Sequence, residues 1–280
     1  EIRGDRVMEF ASDVVSIEKN GGVGTLWLDR SEKYNAMNES FWLAIPEALK
    51  ALESDKEINA IIVAGRGKHF CVGLDLVDSG MVSHQRIAGE SEAVANIKQL
   101  QGTTRFQEAI SSLAKCPVPV IAVIHGHCLG AGIDMVTSCD IRIASACSNF
   151  SVRETRIGLV ADVGTLQRLP SILNAGHVAE LAYSAKDING ARAEKIGLVN
   201  DVYESQEAAY EAGMALANEI AANPPMAVRG TKFMLQQSET LTTEQSLLMN
   251  GMFTLMTSLR SNDLQESMKA FAEKRAPKYT

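Results

Sequence analysis

Three carboxylates stand close together in the sequence, in surroundings that favour proton transfer. Asp134 follows a Gly-Ala-Gly-Ile segment, and Glu154 and Asp162 flank residues 155–161, where Gly, Ala, Val, Ile and Leu predominate. A carboxyl group among apolar side chains has a raised pKa, because burial disfavours its charged form. Such groups exchange protons near neutral pH, so the three acids predict an acid/base site that acts on an apolar substrate.

Each acid also has a simpler interpretation when it is taken alone. Glu154 stands between Arg153 and Arg156, a pattern typical of a surface ion pair. Asp134 would lie in the first turns of a helix, where the helix dipole favours a negative charge. Asp162 fits a polar turn. The residues alone leave these alternatives open.

Two glycine-containing turns, residues 69–76 and 125–132, each follow a predicted buried strand. Glycine lets the backbone approach a ligand and leaves N–H groups accessible. The second turn also opens a predicted helix, whose first N–H groups have no partner within the helix. Two such N–H groups that converge on one oxygen atom form an oxyanion hole. Ordinary strand-to-helix turns are the alternative interpretation.

The elements around these turns alternate between strands and helices, which predicts an α/β fold with a largely parallel core. Asn-Gly-Gly at 20–22 predicts a hairpin between strands 14–19 and 23–28. Asn38 is a predicted cap for a helix that ends near Ser54. The remaining expectations are strands at 60–64, 118–124, 141–144 and 150–152, a loop at 79–92, and helices to 115 and at 129–138, 165–173, 177–184, 191–196, 206–222 and 226–237.

The last third of the chain is predicted to be helical. Thr242 with Gln245 and Asn262 with Gln265 are predicted capping boxes for two helices, 247–259 and 264–273. We therefore divide the chain into a core at 14–200, which contains the three acids, and a helical region at 201–280.

Composition limits the function classes that fit. The chain has 280 residues and a net charge of -7, which disfavours nucleic-acid binding. No apolar run reaches the roughly 18–20 residues of a membrane span, so membrane insertion is not expected. Five cysteines without C-x-x-C spacing predict free thiols in a reducing compartment. The spacing of His125, His127 and Cys128 fits no common zinc site, so no metal is expected. The absence of a signal-peptide pattern favours a bacterial cytoplasm, or the mitochondrial matrix or peroxisome if the termini were trimmed.

Several motifs together resemble the crotonase superfamily, also called the enoyl-CoA hydratase/isomerase family. They are residues 28–30 with 35–37, residues 70–75, and the block from His125 to Leu169. Residues 157–170 resemble in particular the Δ3,5-Δ2,4-dienoyl-CoA isomerases. The resemblance covers nearly the whole chain and implies a ClpP/crotonase-type fold of repeated ββα units, with two nearly perpendicular sheets and a helical C-terminal trimerisation region. It also implies homotrimers or homohexamers.

The resemblance also implies roles for individual residues. The backbone N–H groups of Leu74 and Ala131 would form an oxyanion hole for an acyl thioester, although the second position is usually Gly in hydratases. Asp134, Glu154 and Asp162 would be catalytic. Hydratases usually carry Gly where this chain has Asp162, whereas dienoyl-CoA isomerases carry Asp. The coenzyme A part of the substrate would be bound by Arg30, Lys33, Ala36, Val72, Asp75, Leu76 and Lys274, with no further cofactor.

The implied reaction moves two double bonds from positions 3 and 5 to positions 2 and 4. One proton leaves C2 and another is added at C6, about 5 Å away, which is too far for one carboxylate to serve both carbons easily. We expect Glu154 near C2 and Asp162 near C6, facing each other across an apolar slot, with Asp134 orienting or tuning them; the first two roles could be exchanged.

Two other functions fit the same sequence. An enoyl-CoA hydratase would use Glu154 and Asp134 to add water to a 2-enoyl-CoA. A non-catalytic acyl-CoA-binding protein of the same fold would need none of the three acids.

Overall fold

A computed structural model describes residues 6–78 and 89–279 of the chain. Its strands are β1 Arg6–Val7, β2 Val15–Asn20, β3 Val23–Leu28, β4 Ala60–Gly65, β5 Val120–Ile124, β6 His127–Leu129, β7 Ile141–Ser145, β8 Asn149–Ser151, β9 Ile188–Asn189 and β10 Asp201–Tyr203. Its α-helices are α1 Glu39–Ser54, α2 Glu92–Lys115, α3 Ala131–Thr137, α4 Thr165–Ile172, α5 Ala175–Ser184, α6 Gly190–Ile196, α7 Gln206–Ala221, α8 Pro225–Ser238, α9 Thr243–Met256 and α10 Asn262–Glu273.

The strands form one large and one small sheet. The large sheet has the order β1-β2-β3-β4-β5-β7-β10, and all of its pairs from β3 to β10 are parallel. β4 and β5 are buried along their whole length, as strands of a parallel sheet are when both faces are covered. The small sheet has the order β6-β8-β9. The mixed α/β architecture predicted from the alternation of elements is confirmed.

The predicted hairpin is also confirmed. β2 and β3 pair antiparallel, and Asn20 lies opposite Val23. Gly21 has φ +58, a left-handed conformation that L side chains rarely adopt, so the Gly-Gly sequence suits this turn.

Helices cover both faces of the large sheet. One core cluster packs the sheet against α1, α2 and α3, where Trp42 stacks on Phe106 at a centroid distance of 4.6 Å. A second cluster packs Ile62 and Val123 against Ala217 of α7. β10 and α7 are therefore built into the sheet and its core, although they follow residue 200. The division of the chain at that residue stays a prediction.

Three predictions of helix starts had different outcomes. The capping box of Thr242 and Gln245 is present at the start of α9. The predicted box of Asn262 and Gln265 is wrong, because Ser261 caps α10 and its Oγ accepts the N–H of Leu264. Asn38 does precede α1, but its side chain does not cap the helix. Its Nδ2 donates to Asp78 instead.

The remaining element predictions differ from the structure mostly at their ends. The loop predicted at 79–92 lies largely outside the described residues, and α2 begins at Glu92. β6 occupies residues that we assigned to a turn and to the start of a helix. The 3₁₀ helix Glu154–Ile157, β9 and β10 were not predicted.

Candidate active site

Backbone hydrogen bonds join the two predicted glycine turns side by side. The N–H of Cys71 donates to the carbonyl of His127 at 3.0 Å, and the N–H of Leu129 donates to the carbonyl of Cys71 at 3.0 Å. The turns continue from this ladder, the first to Leu74 and the second to Ala131 at the start of α3. The paired segments thus place Leu74 and Ala131, the predicted oxyanion-hole residues, close together.

Gly73 and Gly130 allow the turns to approach each other closely. Gly73 has φ +97, and a Cβ atom there would lie 3.0 Å from the carbonyl oxygen of Leu129 and 3.7 Å from the nitrogen of Ala131. Neither the N–H of Leu74 nor that of Ala131 has a hydrogen-bond acceptor within residues 6–78 and 89–279. Two unpaired donors on facing turns can bind one oxyanion.

Asp134 lies in α3 and is only 2% exposed. Its Oδ1 accepts the N–H of Thr165, the first residue of α4, at 2.6 Å. Burial raises the pKa of Asp134 to about 6, and the negative charge of Asp162 adds to this shift, whereas the hydrogen bonds from Thr165 and the charge of Arg168 oppose it. The group is therefore poised near neutral pH and is not an ordinary helix-start aspartate.

Glu154 begins the short 3₁₀ helix and turns toward the hole. Its Oε1 lies 3.3 Å from the position of a Cβ atom on Gly130, next to Ala131. Its Oε2 is buried and accepts no hydrogen bond from the described part of the chain. Burial raises the pKa of Glu154 to about 7, with further contributions from the charges of Asp134 and Asp162.

The surface ion pair that the sequence suggested for Glu154 is not formed. Arg153 instead donates to both carboxylate oxygens of Asp187, at 2.8 and 3.0 Å. Arg156 donates to the carbonyl of Ala185 at 2.7 Å. Among the residues that the structure describes, Glu154 therefore has two neighbouring carboxylates and no paired cation, which is consistent with a proton-transfer role.

Asp162 lies at the rim of the site. Its charge raises the pKa values of both Asp134 and Glu154, so the three acids share one electrostatic environment. Partial burial raises its own pKa. Asp162 is nevertheless solvent-exposed, whereas Glu154 is not. The expected apolar surroundings are therefore found at Glu154 more than at Asp162. Its backbone carbonyl accepts a hydrogen bond at 2.6 Å from Gln107 of α2, which holds this segment in place.

Arg30 and Asp75, two of the residues predicted to bind coenzyme A, form an ion pair with each other. Arg30 Nη1 donates to Asp75 Oδ2 at 2.7 Å and to the carbonyl of Ala36 at 2.9 Å. The two side chains are only 12% and 13% exposed. The hydrogen bond from Arg30 lowers the pKa of Asp75. The pair ties the loop before α1 to the turn that carries Leu74.

The other predicted coenzyme A residues differ in their exposure. Ala36 is buried, and Val72 is half-buried, with its N–H donating to the carbonyl of Tyr34. Leu76 is 57% exposed. Lys33 and Lys274 are exposed, and neither has an ion-pair partner among the residues that the structure describes. Their charges remain available for an anionic ligand.

Replacing Arg30 by methionine is expected to lower the free energy of unfolding by about 2–4 kcal/mol, because Asp75 would be left nearly buried without its partner. We also expect a raised KM for a thioester substrate, since the turn that carries Leu74 loses this tie. Chemical denaturation of Arg30→Met, Asp75→Asn and the double variant would measure the coupling energy between the two residues. Strictly additive losses would show that the pair contributes nothing.

Sequence reasoning missed three residues around the acids: Thr165, Gln107 and Arg168. The guanidinium of Arg168 lies against Gly164, where a Cβ atom would be 1.8 Å from Nη1. Its Nη2 donates to Ser111 at 2.8 Å. No local sequence pattern indicates the hydrogen bonds of Gln107 with Asp162, Thr165 with Asp134 and Arg168 with Ser111, because each joins residues more than 30 positions apart.

The described imidazoles and thiols form no cluster suited to a metal. No group of three or more His, Cys, Asp or Glu side chains within the described ranges could hold a metal ion. His125 Nε2 lies 3.0 Å from the carbonyl of Gly67. The five cysteines are free thiols, and only Cys147 is exposed. No helix in residues 6–78 and 89–279 has the length and apolar character needed to cross a membrane.

Comparisons with known proteins show what this chain is similar to. The chain is 36% identical to the peroxisomal Delta(3,5)-Delta(2,4)-dienoyl-CoA isomerase of Arabidopsis thaliana, over 97% of this chain and 98% of the relative. It is 38% identical to the human mitochondrial enzyme of that name, over 88% of this chain and 75% of the relative. The crystal structure of a putative enoyl-CoA hydratase from Streptomyces coelicolor A3(2) has a TM-score of 0.85 and 27% identity, with 95% and 94% of the two chains covered.

The family profile described as enoyl-CoA hydratase/isomerase matches residues 18–280. The resemblance inferred from the sequence motifs and the crotonase-type fold are thereby confirmed. This chain is a member of the enoyl-CoA hydratase/isomerase family.

Proposed function

We propose that the chain is an isomerase that converts 3,5-dienoyl-CoA to 2,4-dienoyl-CoA in the oxidation of unsaturated fatty acids. Relatives at 36–38% identity that carry this name support the proposal. The observation that carries it is the coupling of three carboxyl groups beside two unpaired backbone donors. Two proton transfers at separate carbons need two such groups, one charged and one protonated. Burial, with a further contribution from the neighbouring negative charges, raises the pKa values of Asp134 and Glu154 toward neutrality, so charged and protonated forms coexist there.

Proton removal would take place beside the oxyanion hole. The N–H groups of Leu74 and Ala131 would receive the thioester oxygen as it becomes negative, and losing one such donor typically costs about 2.7–4 kcal/mol. C2 is bonded to the carbonyl carbon, so the base must lie next to the hole. Glu154 meets this condition, because its Oε1 lies 3.3 Å from the position that a Cβ atom on Gly130 would occupy.

Proton delivery at C6 would fall to Asp162. For this role, an extended dienoyl chain that starts at the hole would have to pass Glu154 and reach Asp162 with its C6 atom. The pKa of Asp162 is raised, so a larger fraction of this group is protonated than of an ordinary aspartate. The two transfers together conserve the protons of the pair, but they leave Glu154 protonated and Asp162 charged. Proton exchange with water, which reaches the exposed Asp162, then restores the starting state, and no electrons are transferred. We propose that no metal or redox cofactor takes part.

Asp134 would tune the other two acids without contacting the reacting carbons. It is almost completely buried, and one of its oxygens is occupied by the N–H of Thr165. Its negative charge raises the pKa of Glu154. The charge therefore keeps Glu154 able to accept and release a proton near pH 7.

Hydration of a 2-enoyl-CoA is the second candidate function. The exposure of Asp162 favours it, because water can reach the site. Solved structures of relatives at 26–28% identity are titled enoyl-CoA hydratases. Against it, the second acid of a hydratase must hold the attacking water, and Asp134 is buried with one oxygen already bound.

One pair of assays separates the candidates. Incubation with 3,5-dienoyl-CoA should produce the absorbance of 2,4-dienoyl-CoA, and incubation with crotonyl-CoA should leave the enoyl band nearly unchanged. Loss of the enoyl band without dienoyl absorbance would favour the hydratase. No change in either assay, together with measurable thioester binding, would favour an acyl-CoA-binding protein.

Coenzyme A recognition is proposed to use Lys33 and Lys274, whose charges are unpaired within the described ranges. Lys33→Ala should raise KM by about three- to tenfold at low ionic strength and less at 0.5 M salt, because salt screens exposed charges. A pantetheine thioester of the same acid lacks the nucleotide phosphates and serves as the control. An equal effect of the substitution on both thioesters would contradict phosphate contact.

We also propose that the chain forms a homotrimer or a homohexamer. α9 has no buried residue, and its exposed apolar side chains are Leu247, Leu248, Met252, Leu255 and Met256. An open cavity of about 900 Å³ lies between α4 and α8. Sedimentation should give three or six times the 30.2 kDa chain mass. Leu248→Glu should reduce this mass, whereas Glu244→Gln on the same helix should not; a monomeric parent chain would refute the assembly.

The same relatives support a proposal for the compartment. The names of the dienoyl-CoA isomerases above place those proteins in peroxisomes or mitochondria. They give no support to the expectation of a bacterial cytoplasm. We propose one of the two organelles for this chain.

A further inference from the structure

A histidine joins the two turns of the oxyanion hole. His69 lies at the start of the turn that carries Leu74, and its Nδ1 accepts the backbone N–H of His127 at 3.1 Å. His127 lies in β6, which leads to the turn that carries Ala131. Because Nδ1 is the acceptor, the imidazole is neutral and its proton is on Nε2.

This hydrogen bond is the first of a series along the two segments. The N–H of Phe70 donates to the carbonyl of His125 at 2.9 Å, and Cys71 exchanges hydrogen bonds with His127 and Leu129 at 3.0 Å each. The series ends where Gly73 meets Ala131. The relative position of the Leu74 and Ala131 donors is therefore set by the register of this ladder, and His69 secures its first step.

The backbone leaves room for the imidazole at this step. Gly126 has φ +56, and a Cβ atom on it would lie 2.6 Å from His69 Nδ1 and 2.3 Å from the carbonyl oxygen of Lys68. Only glycine permits this close approach of the two segments. The rings of His69 and His127 stack at a centroid distance of 4.3 Å, and Tyr34 packs edge-on against His69 at 5.1 Å.

We propose that His69 is a positioning residue, which holds the two oxyanion-hole donors at their working separation through the hydrogen bond from His127 to its neutral Nδ1. The inference rests on the oxyanion hole of the proposed function. His69 itself contacts neither the carboxylates nor the hole, so it acts only through the ladder.

The charges around His69 oppose its protonation. His127 stacks on it, and Lys68 and His125 lie near it. Burial lowers the pKa of His69, and these three neighbours lower it further. The acceptor state of Nδ1 thus persists at neutral pH. In acid the ring gains a proton on Nδ1, loses the hydrogen bond from His127 and is repelled by Lys68, so the ladder should open at its first step.

The test uses the bound product as a probe of the hole. Hydrogen bonds to the thioester oxygen polarise the conjugated chain, so the absorbance of 2,4-dienoyl-CoA should shift to longer wavelength on binding to the parent protein. His69→Leu removes the acceptor at similar volume and should abolish at least half of this shift. It should also lower kcat by about 10–100-fold with a smaller change in KM, because a misplacement near 1 Å can cost about that factor.

Two further variants separate positioning from general stability. His69→Asn has an amide oxygen that can replace Nδ1, so it should restore the red shift and bring kcat within about threefold of the parent. His177→Leu is a control at a distant site, because His177 lies on α5 in contact with Glu180. It should change neither the red shift nor kcat. A His69→Leu protein that keeps the full red shift would overturn the inference, whatever its thermal stability.

An acid titration gives an answer even if His69→Leu does not fold. Below the ordinary histidine pKa of 6.5 the parent should lose the red shift reversibly and to a greater extent than His69→Asn, because Asp134 and Glu154 titrate in both proteins. Equal losses in both proteins would overturn the inference. A parent protein that shows the red shift but does not isomerise 3,5-dienoyl-CoA would refute the proposed function and leave the inference about His69 standing. A parent protein without any red shift would overturn the inference about His69.

Discussion

Replacing Asp162 by asparagine is expected to lower the rate of 3,5-dienoyl-CoA isomerisation by about 10²–10⁴-fold, the usual contribution of a positioned general acid or base. The amide has the same size as the carboxyl group but cannot deliver a proton to C6. Asp162 is exposed, and its side chain has no ion pair within the described part of the chain, so the fold should be unaffected. Stopped-flow or steady-state measurement of the 2,4-dienoyl absorbance gives kcat directly.

The control is a second exposed aspartate outside the site. Asp201→Asn, on β10, changes the net charge by the same amount and should keep the parent rate. Binding of the product should also be retained by the Asp162 variant, because Leu74 and Ala131 are unchanged. Near-normal isomerisation by Asp162→Asn would end the two-carboxylate scheme. Loss of isomerisation together with an intact hydratase activity would assign Asp162 to the isomerase reaction alone.

The acids could be found in the sequence because their types and neighbours are unusual in themselves. A carboxylate in an apolar segment indicates a raised pKa because such segments are usually buried, and the shifts of Asp134 and Glu154 agree with this. The partners of these acids could not be found in the same way. Thr165 contributes a backbone N–H, which any residue could supply, and the charge of Arg168 reaches Asp134 only through the packing of α4.

The role of Arg30 illustrates a second limit of sequence reasoning. A cation in a loop predicted to contact coenzyme A can bind a phosphate or an internal carboxylate, and composition does not distinguish them. The structure pairs it with Asp75, itself predicted to contact coenzyme A. The pair orders the backbone around Leu74, so both residues bear on the site through its shape.

Elements could be predicted where local signals and burial agree, as in the β2–β3 hairpin and the fully buried β4. The missed strands β6, β9 and β10 contain only two or three residues each. Such short strands form because a neighbouring strand pairs with them. Their own sequences are too short to show an alternation of apolar and polar residues. β6 matters most, because it carries the ladder that joins the two turns.

Asp134 is expected to lower the stability of the fold while it serves the reaction. Its pKa of about 6, against 3.8 for an ordinary aspartate, means that the folded state binds the proton more tightly than the unfolded state. The contribution of Asp134 to the free energy of unfolding is therefore most favourable below about pH 4. This contribution is lost as the pH rises to about 6, and it stays lost at higher pH. Two pKa units correspond to about 3 kcal/mol.

Asp134→Asn should consequently raise the free energy of unfolding at pH 8 by about 1–3 kcal/mol, with little change at pH 4. The amide oxygen can still accept the N–H of Thr165, so the hydrogen bond is retained. The same change removes a charge that raises the pKa of Glu154, so the alkaline limb of the pH–rate profile should move to lower pH. Denaturant titrations at the two pH values and a pH profile of kcat/KM check both effects.

The two effects must appear together if one charge causes them. Asp201→Asn is again the matched control, since an exposed aspartate has no burial cost to relieve and should change neither stability nor the pH profile. Stabilisation of equal size at pH 4 and pH 8 would show that packing, not ionisation, separates Asp134 from asparagine. An unmoved alkaline limb would show that Glu154 does not feel the charge of Asp134, and the tuning role would then have no basis.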